Sequence, residues 1–127
     1  MIPYRTNIPG LKFEIEYQNK EAVEQLLGGV GRKVLDKVLR LANTVSKKQN
    51  WPLTKVRIQR YKDYELPSWE YVLVIMVFDT TFEIADEYLH EFCDQIDLLN
   101  KKLSDEEQTI LRELFSFDVT TTRFLEN

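Results

Sequence analysis

The segment WEYVLVIMVF, residues 69–78, constrains the fold more than any other part of this chain. Its last eight residues, Tyr71 to Phe78, are all apolar, and four of them are β-branched. A run of this length with both faces apolar predicts a central strand. It is far short of the roughly 20 apolar residues needed to cross a bilayer. The chain must therefore build a sheet around this strand and cover it.

The neighbouring segments supply the sheet. LKFEIEY (11–17) alternates strictly, with Leu11, Phe13, Ile15 and Tyr17 on one side, and predicts a strand with one buried face. TKVRIQRY (54–61) turns Val56 and Ile58 inward and Lys55, Arg57 and Gln59 outward. FSFDVTT (115–121) alternates again, with Phe115, Phe117 and Val119 together. Between these lie helical periods. Asn19 is placed to cap KEAVEQLL, and Val34, Leu35, Val38, Leu41, Ala42 and Val45 form the stripe of a longer helix that ends by QNWP. Thr80 and Glu83 have capping-box spacing before a stripe of Ala85, Tyr88, Leu89, Phe92, Ile96, Leu99 and Leu103. Ser104 and Glu107 repeat the signal before a short helix with Ile110, Leu111 and Leu114.

The order is strand, helix, strand, strand, helix, strand, with an extra short helix before the last strand. Because crossovers are right-handed, this order predicts an α+β, ferredoxin-like split βαβ sandwich. Its sheet would be four-stranded and antiparallel, with two long helices on one face and the first and third strands central. The first helix would be broken at the glycines. At 127 residues the chain is read as a single domain, 1–127, with enough length for a real core.

Charge is distributed very unevenly. Residues 32–62 carry ten Lys and Arg against Asp36 alone, whereas residues 63–100 carry ten Asp and Glu and no Lys or Arg. The net charge of −4 conceals this division. Lys33, Lys37, Arg40 and Lys47 form a stripe on the first long helix, and Lys55 and Arg57 follow in the next strand. Such a stripe suits phosphate, so these six are the candidate binding residues of a nucleic-acid-binding regulator. RNA-recognition domains share the strand–helix order, but their third strand carries a basic–Gly–aromatic–Gly–Phe-type run, whereas WEYVLVIMVF has no glycine and an acid where the base would stand. The favoured reading is intramolecular: in a split βαβ sandwich the basic stripe would lie beside the acidic helix of Glu83, Asp86, Glu87, Glu91, Asp94 and Asp97 and be largely neutralised.

Residues for catalysis are scarce. Gly28, Gly29 and Gly31 match neither a mononucleotide loop nor a dinucleotide fingerprint, and a helix rather than a strand precedes them. They read as a helix break, with a small anionic-ligand sensor or enzyme at this point as an alternative. His90 lies near Asp86, Glu87 and Cys93, but the ligand count for a metal falls short. One His, one Cys and no Ser elbow leave a catalytic triad without components. The expectation is a non-catalytic protein with no cofactor and no metal. The lone Cys93, the absence of a signal-peptide pattern at the start and the lack of a spanning segment point to the cytoplasm.

A two-layer sandwich leaves one sheet face bare. On that face an apolar row from the third strand, either Tyr71, Leu73, Ile75 and Val77 or Val72, Val74, Met76 and Phe78, would stand between acidic Glu14 and Glu16 and basic Lys55 and Arg57. Exposed apolar rows usually mark interfaces, and a row flanked by opposite charges is self-complementary under a twofold. The expectation is a protein-association domain that forms a homodimer, or binds a partner, through Leu73, Ile75, Val77, Glu14 and Glu16. The short helix at 105–114 offers another outcome, since it could fold over this face instead.

Overall fold

The computed structural model describes residues 4–6, 10–66 and 68–122. Five strands form one sheet: β1 (Tyr4–Thr6), β2 (Glu14–Gln18), β3 (Leu53–Lys62), β4 (Glu70–Phe78) and β5 (Phe115–Thr121). Three helices connect them: α1 (Lys20–Lys48), α2 (Phe82–Asn100) and α3 (Asp105–Leu114). Among the described residues no helix is long and apolar enough to cross a membrane.

The fold is α+β, but the sheet is mixed rather than antiparallel. Strand order follows chain order, β1-β2-β3-β4-β5. β3 and β4 form an antiparallel hairpin, while β2–β3 and β4–β5 are parallel neighbours. The expected centre, the strands at 11–17 and 69–78 side by side, is replaced by β3 beside β4. The physical difference is small. In either arrangement the helical connection returns the chain in the direction of the strand before it. A split βαβ sandwich inserts another strand into the gap; here the gap closes and the two parallel strands bond directly. The interleaved order lets both crossovers be right-handed with all helices on one face. The sequential order, with α1 packed on α2 and α3 over one face, requires crossovers of opposite hand. The short β1, which extends the β2 edge by three residues, was not anticipated from the sequence.

Local signals account for the element ends. The Asn19 side chain accepts from the Ala22 N–H at 3.2 Å at the start of α1. Ser104 and Glu107 form the full reciprocal capping box of α3. α2 is capped one residue later than its sequence suggests: the Thr81 hydroxyl, not that of Thr80, accepts from Ile84 N–H at 3.4 Å. α1 is interrupted at Gly28, whose φ of 64° and ψ of −168° lie outside the helical region. That conformation is essentially restricted to glycine, so the helix break falls on the first glycine of the cluster. Gly31 has a different task. A Cβ there would lie 3.2 Å from Leu27 and 3.4 Å from Leu114, so its bareness lets α1 approach α3.

The core lies between the helices and one face of the sheet. Val72, Val74, Met76 and Phe78 of β4 supply its centre, and Val56 and Ile58 of β3 and Ile15 and Tyr17 of β2 continue it. Burying each such side chain contributes about 1.5–3 kcal/mol before conformational entropy is subtracted. α1 adds Val34, Leu35, Val38, Leu39, Ala42 and Val45, and Leu41 packs against them partly buried. Trp51, just after α1, closes one end; it stacks on Tyr88 at 4.8 Å and meets Phe78 edge-on at 5.8 Å.

Candidate functional site

Strand alternation turns Tyr71, Leu73, Ile75 and Val77 of β4 away from the helices. All three helices lie on the other side, and α3 packs against α1 rather than folding over this face. Register then fixes the neighbours. Glu16, Arg57, Ile75 and Asp118 stand in one row across β2, β3, β4 and β5; Glu14, Lys55, Val77 and Thr120 form the next. Across the face the order is therefore acidic, basic, apolar and acidic. The sequence reading placed the apolar row between the acidic and basic strands, and the observed strand order moves it to the far side of the basic one.

The change brings acid and base together. Lys55 Nζ lies 2.9 Å from Glu16 Oε2, and Arg57 Nε donates to Glu16 Oε1 at 3.1 Å. Glu16, expected on an exposed interface, is only 2% exposed. Burial pushes its carboxyl up, but the hydrogen bond and charge of Lys55, joined by Arg57, outweigh this and hold it below the usual glutamate range. Val77 points to this face but is 1% exposed, which takes it out of any contact surface; Leu73 and Ile75 remain half-buried. Glu14 is exposed at the far edge of the row.

At one end the apolar row becomes aromatic. Tyr61 pairs with Tyr71 at 5.2 Å, and Trp69, which is 50% exposed, meets Tyr71 at 5.4 Å. The hairpin tip beyond them is ordered by Asp63, whose Oδ1 accepts from the N–H groups of Glu65 at 2.9 Å and Leu66 at 2.7 Å. Burial, with Tyr61 and Asp63 nearby, raises the Tyr71 phenol above its ordinary value. At the other end, a hollow of about 560 Å³ opens between Arg57, Ile75, Asp118 and Thr120, rimmed by Phe82. Tyr61, Trp69 and Phe82 were missed as surface features because their pattern was read only for which residues face inward.

The remaining basic residues are dispersed. Lys37 bridges to Glu107 of α3 at 2.8 Å, and this pairing lowers the Glu107 carboxyl. Arg40 lies 3.4 Å from Asp36 on its own helix. Lys47 donates to the Gly10 carbonyl at 2.8 Å and so ties the segment before β2 to α1. Lys33 is exposed. The stripe thus meets acids of α1 and α3, not the acidic run on α2 to which neutralisation was assigned. Lys55 and Arg57 belong to the sheet and do not extend this stripe.

Among the described residues His90 and Cys93 are not brought together with other catalytic groups. His90 is exposed, with Nδ1 2.8 Å from the Asp86 carbonyl oxygen, and Glu87 and Cys93 do not join it in a ligand set. Burial, aided by Asp97 and Asp94, pushes the Cys93 thiol up and keeps it protonated. Among the described residues no group of three or more His, Cys, Asp and Glu is placed to hold a metal ion. No protein-family model matches this chain, and neither a curated protein nor a solved structure matches it.

Proposed function

We propose that this chain is a non-catalytic association domain that pairs with a second copy of itself through the open sheet face. One observation carries the reading: the row Arg57, Ile75, Asp118, in which an apolar residue stands between opposite charges on adjacent strands. A twofold axis along β4 through Ile75 lays β3 of each copy over β5 of the other. Ile75 then meets its own counterpart, and Arg57 meets Asp118 of the second copy twice. Lys55 and Arg57 together carry one positive charge more than Glu16 neutralises, so the attraction to Asp118 survives the internal pairing. Leu73 and the Tyr61–Tyr71 pair extend the apolar contact along the axis. Glu14 falls beyond the edge of the second copy in this arrangement.

The alternative of a nucleic-acid-binding regulator draws less support, because Lys37, Arg40, Lys55 and Arg57 are already paired with acids. Light scattering at micromolar concentration tests the proposal. The expected result is a dimer that becomes monomeric in Leu73→Glu without loss of helical or sheet signal. A strict monomer across that range overturns it.

A further inference from the structure

The hollow beside Asp118 carries a second inference, independent of self-association although it shares Arg57, Ile75 and Asp118 with it. Its volume of about 560 Å³ lies within the range of small-molecule sites. Its walls are chemically opposed. Arg57 stands on one side and Asp118 on the other, with Ile75 between them in the same row. Two strand spacings separate their backbones, about 10 Å, and Arg57 makes its ion pair with Glu16 rather than with Asp118. Arg57 is held from behind: its Nε is engaged by the buried Glu16 carboxylate, which leaves the terminal guanidinium nitrogens for another acceptor. Phe82, at the first turn of α2, is 58% exposed on the rim.

We propose that this hollow binds a small zwitterion with an apolar side, of the amino-acid class. A simple anion would satisfy Arg57 and be repelled by Asp118; a simple cation would meet the reverse. A carboxylate and an ammonium on one small molecule satisfy both walls. The apolar part then lies over Ile75 toward Phe82, where aromatic and aliphatic surface is bare. Because the same two charges serve the twofold contact, an occupied hollow and a formed dimer exclude each other.

The test uses L-leucine and L-phenylalanine as probes, with N-acetyl-leucine and leucinamide as charge-blocked controls. Amide shifts of Ile75 and Thr120 are followed by NMR in the natural chain and in Leu73→Glu, which lies outside the hollow. Saturable shifts are expected for the free amino acids, at least about tenfold weaker for either blocked analogue and in Asp118→Asn, since each removes a charge-assisted contact. Equal binding of the blocked analogues, or no saturable shift in either chain up to about 20 mM, overturns the inference. Amino-acid binding by a chain that is strictly monomeric sinks only the self-association reading. A dimer that dissociates in Leu73→Glu, with no amino-acid binding in either form, sinks only this one.

Discussion

Arg57 and Glu16 face each other across the parallel β2–β3 pair, the arginine Nε donating to the buried carboxylate at 3.1 Å while Lys55 holds its other oxygen at 2.9 Å. A carboxylate that is 2% exposed has lost its hydration and depends on its donors, Lys55 and Arg57 among them. Its removal strands two cations whose side chains are only 21% and 22% exposed. Glu16→Ala is expected to destabilise the fold by about 2–4 kcal/mol, toward the lower end of broken buried pairs because water still reaches the cations. Urea denaturation measures this, and a loss under about 0.5 kcal/mol would mean that the cluster is solvated and structurally idle.

The same carboxylate sets a pH dependence. Its folded-state pKa lies below its ordinary value because Lys55 and Arg57 overcome the opposing effect of burial. The unfolded chain therefore binds the proton first as pH falls, and the stability from ionised Glu16 is present above the ordinary glutamate range and lost below it. Glu70 beside Arg60 and Glu107 beside Lys37 shift in the same direction. The urea midpoint should fall between about pH 5 and pH 3, and the fall should be shallower in Glu16→Gln. Equal slopes in the two proteins would assign the effect to other groups.

Two adjacent glycines should respond in opposite ways. Gly28 sits at φ 64° and ψ −168°, where a side chain is strained whatever space surrounds it. Gly28→Ala is expected to cost about 1–3 kcal/mol. Gly29 is helical, and nothing lies within 4 Å of a Cβ built there. Gly29→Ala should stabilise by about 0.5–1 kcal/mol through reduced freedom of the unfolded chain. Melting temperatures of the two variants should move to opposite sides of the parent; a shared direction would contradict the break at Gly28.

Most elements were legible because they rest on local chemistry. The β4 run, the Asn19 and Ser104 caps and the break among the glycines each act over a few residues, and each appears within a residue or two of its expected place. Strand order was not legible. Interleaved and sequential orders use the same strands, the same inward faces and the same helices, and differ only in whether a third strand enters each gap. The handedness preference pointed to interleaving, and the sheet does not follow it. The site inherited that ambiguity. Alternation placed Lys55 and Arg57 on the open face, but β4 is apolar on both sides and left open whether Leu73 and Ile75 or their neighbours Val72 and Val74 faced outward. Glu16 became a buried partner of Arg57 only once β2 lay directly beside β3. Burial of Val77 likewise depends on its neighbours in the row, not on its own segment.

The strand order also makes the proposed twofold testable by charge. In the proposed arrangement Asp118 would meet Arg57 of the other copy, each standing one strand from Ile75, so a single substitution would act twice. Asp118→Lys replaces two attractions with two repulsions at a partly desolvated contact. The dimer dissociation constant should rise at least about 100-fold, since each altered charge pair is worth about 1.4 kcal/mol or more. Glu14→Lys is the matched control: it also reverses one exposed acid on the same face, but two strands from β4 and beyond the edge of the second copy. It should change the constant by less than about threefold. Added salt should weaken the natural dimer and narrow its difference from Asp118→Lys, as screening acts on the exposed part of the contact. Sedimentation equilibrium of the three proteins at low and high salt decides the point, and equal weakening by both substitutions would place the axis somewhere other than β4.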